Sequence, residues 1–333
     1  MADHVPYSEK HRYGPHFLNR FDYYKNTGSA STPAGGRPWI LLCPFSGFRQ
    51  GSRESVRLED VDNVTPGNQH AIHYDFIEYF LDAARPTPYD IFVCEVNQVE
   101  PRTFIPNEAT DAPERTMYYP ENVNLVGHCF QYIKSHPTRW QDVVFGPGYQ
   151  LNPDKGVIYG TSAGATYSML IAYRPSLPFF TAGLSTYGNR YPVTVSSKPA
   201  AVVNRNGQSS WQPNDSNTYL DSGSLIEGFV GMPGGMASPS DGHMPDEFYA
   251  QFSPLSYINS ASPPTVSVYD SSSNVDEPYT NFHDKRMGDD IKAALDAVGV
   301  TNELYQDNPV QNAMSATNLA RVYSFLQSTL GYP

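Results

Sequence analysis

Cysteine is scarce in this chain, and positive charge is nowhere concentrated. The three cysteines, Cys43, Cys94 and Cys129, are too few and too scattered for a disulfide framework, and none forms a Cys-x-x-Cys pair of the metal-holding kind. Cys43 and Cys94 stand in apolar runs and read as buried thiols. Lysine and arginine number 22 against 34 aspartates and glutamates, a formal net charge of -12 with no basic cluster. Binding nucleic acid needs a positive footprint that releases counterions, so this balance argues against such a partner. It also disfavours anionic polymers and anionic membranes. No apolar run reaches the length of a membrane span, and the opening Met-Ala-Asp-His-Val-Pro lacks the basic and apolar regions of a secretory signal. Synthesis in a reducing cytoplasm without a signal peptide is therefore expected, which leaves later incorporation in a viral particle open. No internal repeat is evident and no cofactor is expected.

What is present is enough apolar material, 39% of 333 residues, for one large α/β core with an inserted subdomain. Short apolar runs closed by turn residues predict strands over 37–44, 90–96, 156–160, 181–185, 264–269 and 302–306. Between them, three-and-four spacing predicts helices. Ile72, Phe76, Tyr79, Phe80 and Ala83 make one stripe, and Leu319, Val322, Leu326 and Leu330 make another. Further helices are expected over 121–135, from the Ala-rich run to Tyr173, and over 284–298. Such alternation is the pattern of a mostly parallel sheet covered by helices on both faces. From Tyr187 to Glu247 it breaks into Gly, Pro, Ser and Asn, too long for an ordinary connection. The expected organisation is a core in two parts, 1–186 and 248–333, with a cap or lid at 187–247.

The strongest local signal is Gly160-Thr161-Ser162-Ala163-Gly164, a G-x-S-x-G sequence lying between a predicted strand and a predicted helix. In that setting a serine sits on a tight turn, the glycines let neighbouring backbone approach, and the helix points its first amides toward developing negative charge.

With these residues the chain resembles the α/β-hydrolases of the carboxylesterase/lipase branch, in particular the hormone-sensitive-lipase-like group, at the level of pattern over about residues 21 to 330. The resemblance implies an α/β-hydrolase fold with Ser162 as nucleophile. The group carries a glycine-rich HGGGF-x-x-GS segment after an early strand. Here Pro44-Phe45-Ser46-Gly47-Phe48-Arg49-Gln50-Gly51-Ser52 stands in its place, with the F-x-x-G-S spacing kept and the leading His and two glycines replaced. The backbone amides of Ser46, Gly47 and Ala163 are then the expected oxyanion donors.

Further along, the chain departs from the group. A serine hydroxyl is a weak nucleophile and needs a base, with an acid to hold that base. Ser273 stands at the group's acid position and Asn312 at its histidine position, and no histidine follows His283. Asp270 and Asp276 are near enough in sequence to replace the acid. For the base, His243 near the end of the cap is preferred over His283, which heads the helix after the acid loop; each also fits an ordinary surface or capping role. His70-x-x-His73-x-Asp75 has helical metal-ligand spacing but no further ligand motif, so a solvated helix face is preferred to a metal site.

Two functions follow. In the first and favoured one, the chain keeps the elbow but has lost proton transfer, and serves as a binding or structural module. In the second it is an active serine esterase using Ser162 with a relocated base such as His243, assisted by Asp276. A small ester-like ligand or a protein partner, and an oligomer or assembly, are the expected partners.

Overall fold

The computed structural model describes residues 8–13, 20–28, 32–44, 71–94, 121–140, 143–144, 149–174, 195–211, 249–270, 283–307 and 314–332. Eight strands form the main sheet: β1 (Ser8–Arg12), β2 (Arg20–Tyr24), β3 (Arg37–Cys43), β4 (Asp90–Cys94), β7 (Leu151–Thr161), β8 (Ala201–Arg205), β9 (Thr265–Tyr269) and β10 (Asn302–Gln306). Their spatial order is β1-β2-β4-β3-β7-β8-β9-β10. The pairs from β4 through β10 are all parallel, whereas β2 runs antiparallel to both β1 and β4. A two-strand ribbon, β5 (Arg139–Trp140) with β6 (Val143–Val144), stands apart.

Helices α1 (Ala71–Leu81), α2 (Glu121–Ser135), α3 (Ala163–Tyr173), α4 (Lys285–Ala297) and α5 (Ala316–Leu330) cover the sheet. Alternate residues of the same strands enter two separate cores. Leu41, Phe92, Ile158 and Val202 meet Val126 and Phe130 of α2, Leu170 of α3 and Ile291 of α4. Their neighbours Ile40, Leu42, Ile91, Val157 and Val203 meet Phe76 and Phe80 of α1 and Leu319, Val322 and Leu326 of α5. A strand buried on both faces needs no polar alternation, which is why β3 reads as one unbroken apolar run.

The expected strands at 37–44, 90–96, 156–160, 264–269 and 302–306 are present within a few residues, as are all five helices. The strand expected at 181–185 lies outside the described residues. Three strands of the main sheet, and both strands of the ribbon, were not expected from the sequence. β1 is the charged edge strand, and β2 beside it sends Phe21 and Tyr23 into one core and Tyr24 into the other but mixes them with Arg20 and Asp22, so neither reads as an apolar run. β8 falls inside the stretch 187–247 that was expected to be an insertion, and a correction follows: Ala201–Arg205 is a central strand of the core, hydrogen-bonded between β7 and β9. Its second half is polar, Asn204 and Arg205, because it serves the site described below. Residues 212–247 of the expected cap lie outside the described residues.

At the amino-terminal edge of the sheet a buried polar cluster braces β3 against β4. Asp90 accepts hydrogen bonds from the Tyr149 hydroxyl at 2.5 Å and the Asn26 amide at 2.9 Å, and Arg37 stands 4.0 Å away. Burial pushes the Asp90 carboxyl up to about 6, against the pull of Tyr149, Asn26 and Arg37. The opposite, carboxyl-terminal edge carries Ser162, Arg205 and Asp270, where ligands bind in open parallel sheets.

Candidate active site

β7 ends at Thr161 and α3 begins at Ala163, so the turn between them is the single residue Ser162. Its φ of 54° and ψ of -120° lie outside the regions open to most residues with a side chain, a conformation that costs about 1–3 kcal/mol. The surroundings enforce it. The Ser162 amide donates to the Arg205 carbonyl at 2.8 Å, and the Ser162 carbonyl accepts from Ala165 at 3.0 Å and Thr166 at 3.1 Å. The two motif glycines are required by close approach: a Cβ on Gly160 would lie 2.5 Å from the Ala165 nitrogen, and one on Gly164 would lie 2.6 Å from the Pro44 carbonyl oxygen. The start of α3 is thereby pressed between the end of its own strand and the end of β3. Since the first amides of a helix have no intrahelical acceptor, those of Ala163 and Gly164 open beside the serine.

An imidazole reaches the hydroxyl. His283 Nε2 lies 3.0 Å from Ser162 Oγ. His283 directly precedes α4, whose N-cap Asp284 accepts from the Arg286 amide at 2.9 Å and binds the Arg286 guanidinium at 3.1 and 2.7 Å. α4 is seated on β9 through Gly288, where a Cβ would lie 2.6 Å from the Tyr269 ring. The imidazole is therefore carried by a braced helix start. Burial holds the His283 imidazole below its ordinary 6.5; the Asp270 carboxylate pulls the other way and the Arg205 guanidinium adds to the fall. A neutral imidazole can accept the serine proton at neutral pH.

Asp270 directly follows β9. It receives the Arg205 guanidinium at 3.2 and 3.4 Å and the Asn206 side-chain amide at 2.6 Å, while its own amide donates to Asn206 Oδ1 at 3.0 Å. Register brings these groups together: Thr161 pairs with Arg205 across β7 and β8, and Arg205 pairs with Val268 across β8 and β9. Arg205 is fully buried, and its guanidinium also bonds the Tyr159 hydroxyl, which in turn accepts from Thr161 at 3.1 Å.

Of the residues singled out in the sequence, Ser162 stands at the turn, buried but for 5% of its surface, and Ala163 begins the helix. Ser46, Gly47, His243, Ser273, Asp276 and Asn312 lie outside the described residues. The preference for His243 over His283 is corrected, since the imidazole at the serine belongs to His283. Two hints pointed to these residues: Asp284-Lys285-Arg286 directly after the histidine is a helix-capping pattern, and Arg205-Asn206 closes an apolar run with charge. Among the described residues no group of three His, Cys, Asp or Glu could hold a metal ion, and no helix is long and apolar enough to cross a membrane.

Comparison with family models finds no match, and no curated protein sequence matches either. Likeness emerges in three dimensions. A Bacteroides eggerthii protein described as a bifunctional GH43-CE superposes with a TM-score of 0.60 at 14% identity over 96% of this chain, which spans only 38% of that protein. Apo Thermogutta terrifontis esterase 2 gives a TM-score of 0.59 at 14% identity, covering 98% of this chain and 96% of its own. A Lactobacillus plantarum lipase/esterase gives 0.54 at 11% identity, with 94% of each chain covered. From the sheet order, the one-residue turn at Ser162 and these neighbours, the chain has an esterase-like α/β-hydrolase fold.

Proposed function

We propose that this protein is a serine esterase that cleaves a carboxylic ester through an acyl-enzyme at Ser162. The observation that carries the reading is the 3.0 Å contact between His283 Nε2 and Ser162 Oγ. As Oγ attacks the ester carbonyl carbon, His283 takes the hydroxyl proton, and the carbonyl π electrons move to oxygen. The Ala163 amide offers a donor to that oxyanion, and the resemblance adds the amides of Ser46 and Gly47, which lie outside the described residues. Collapse expels the alcohol oxygen, which takes the proton from the imidazolium. Water then attacks the acyl-enzyme, its proton passing to His283 and on to Ser162 Oγ as the acid leaves. Asp270, directly after β9, is the acid in this scheme, its charge favouring the protonated imidazole.

The F-x-x-G-S spacing of Phe48 to Ser52 supports placing the chain near the hormone-sensitive-lipase-like esterases. The neighbours' descriptions as carbohydrate esterase and lipase/esterase suggest acetylated carbohydrate and short acyl esters as the substrates to try first. The second reading is a binding or structural module with impaired chemistry, favoured by Ser273 and Asn312 at the group's acid and histidine positions.

Turnover of p-nitrophenyl acetate and labelling by a fluorophosphonate probe decide between them. Both are expected in the native protein and absent from Ser162→Ala and His283→Ala. A native protein that neither turns over nor labels would establish the impaired module.

A further inference from the structure

Asn206 has a left-handed backbone, φ 57°, a conformation that few non-glycine residues tolerate. From that position its one carboxamide grips Asp270 twice, donating to the carboxylate at 2.6 Å and accepting from the backbone amide at 3.0 Å. Its own amide is tied to the Val268 carbonyl at 3.0 Å, so the grip is anchored on β9. Arg205 comes from the other side. A fully buried guanidinium is costly to desolvate unless it is paired, and Asp270 and Tyr159 are among the partners of this one.

We propose that Asn206 and Arg205 are positioning residues that hold the Asp270 carboxylate where it acts on His283, and so govern proton transfer from Ser162. The proposal rests on the esterase reading in taking His283 as the base. Charged and titratable groups around the pair among the described residues include Asp270 after β9, Tyr159 of β7, Asp75 of α1 and His283 itself. Asp270 favours the protonated imidazole and Arg205 opposes it. With both present, the base keeps an ionic partner without being held in its protonated form. A mere staple between β8 and β9 would not need the second grip from a left-handed residue.

Asn206→Gly retains access to the left-handed backbone and removes only the carboxamide. With p-nitrophenyl acetate, kcat is expected to fall about tenfold and KM to stay within about twofold. Arg205→Met should move the acid limb of the kcat/KM profile to higher pH, while Arg205→Lys should keep it near the native position. An unchanged kcat in Asn206→Gly, or equal losses in the two Arg205 variants with an unmoved acid limb, overturns the proposal. If Arg205→Met does not fold, Asn206→Gly decides alone. Activity that is indifferent to Ser162→Ala would instead overturn the esterase reading. NMR titration of the His283 imidazole then still tests the positioning role, which fails if Arg205→Met leaves that titration unmoved.

Discussion

The imidazole of His283 meets the hydroxyl of Ser162 at 3.0 Å across 121 positions of sequence. It arrives on the connection between β9 and α4, and not on the one after β10 where the group's pattern points to Asn312. The helix cap at Asp284 and the seat of α4 on Tyr269 give that histidine a fixed origin.

Replacing the imidazole tests this contact directly. His283→Ala is expected to lower kcat for p-nitrophenyl acetate by about ten-thousandfold, with little change in KM, because the lost group acts on the proton and not on ground-state binding. Steady-state kinetics check it, and a loss confined to KM would contradict the assignment.

The pH profile follows from the burial of the base. Since the folded pKa of His283 is lowered from 6.5, activity limited by its protonation should remain full at pH 7 and fall only on the acid side of 6.5. The same group contributes stability that is present above 6.5 and is lost as pH falls through its lower folded value, because the unfolded chain binds the proton first. A profile of kcat/KM against pH checks the first point. An acid limb centred above pH 7 would count against it.

The elbow glycines predict a steric effect. In Gly164→Ala the new methyl would press on the Pro44 carbonyl from 2.6 Å, against backbone that cannot swing away as a side chain could. Overpacking of this kind is expected to cost about 1–3 kcal/mol and to disturb the segment that follows β3. Urea denaturation measures the first consequence and the rate of fluorophosphonate labelling the second; full stability with native labelling would refute both.

At the far edge of the sheet, Tyr149→Phe removes a hydrogen bond to a buried carboxylate, with an expected loss of about 2 kcal/mol. The loss should be larger at pH 8 than at pH 5. With its folded value raised from 3.8 to about 6, Asp90 contributes stability that is fully present below 3.8 and is lost as pH rises through about 6. The tyrosine bond offsets that penalty only while the carboxylate is charged. Denaturation of both proteins at the two pH values is the check, and an equal difference at both would argue against a titrating Asp90.

β3, β4, the second half of β7, β9 and all five helices were legible because a buried parallel strand is continuously apolar and a covering helix carries an apolar stripe. Ser162 was legible because a one-residue turn between strand and helix needs small neighbours on both sides, and Gly160 and Gly164 show it. β8 was not, since Ala-Val-Val-Asn-Arg is too short and too polar at its end to read as a central strand; its polarity makes sense only once Asp270 is placed beside it. His283 was visible as a helix-heading residue, but nothing local tells which of several histidines folds onto a serine so far away in sequence. That depends on how α4 lies across β9, a tertiary fact set by contacts such as Gly288 on Tyr269.

Carrying both Asp270 and His283 on the β9–α4 connection has a mechanical result. Asp270 is clasped to the ends of β8 and β9 by Asn206 and Arg205, whereas His283 rides on the start of α4, so a tilt of α4 carries the imidazole and leaves the carboxylate in place. Lesions that loosen that helix should therefore silence the serine by withdrawing the imidazole from it, while the carboxylate stays fastened to the sheet.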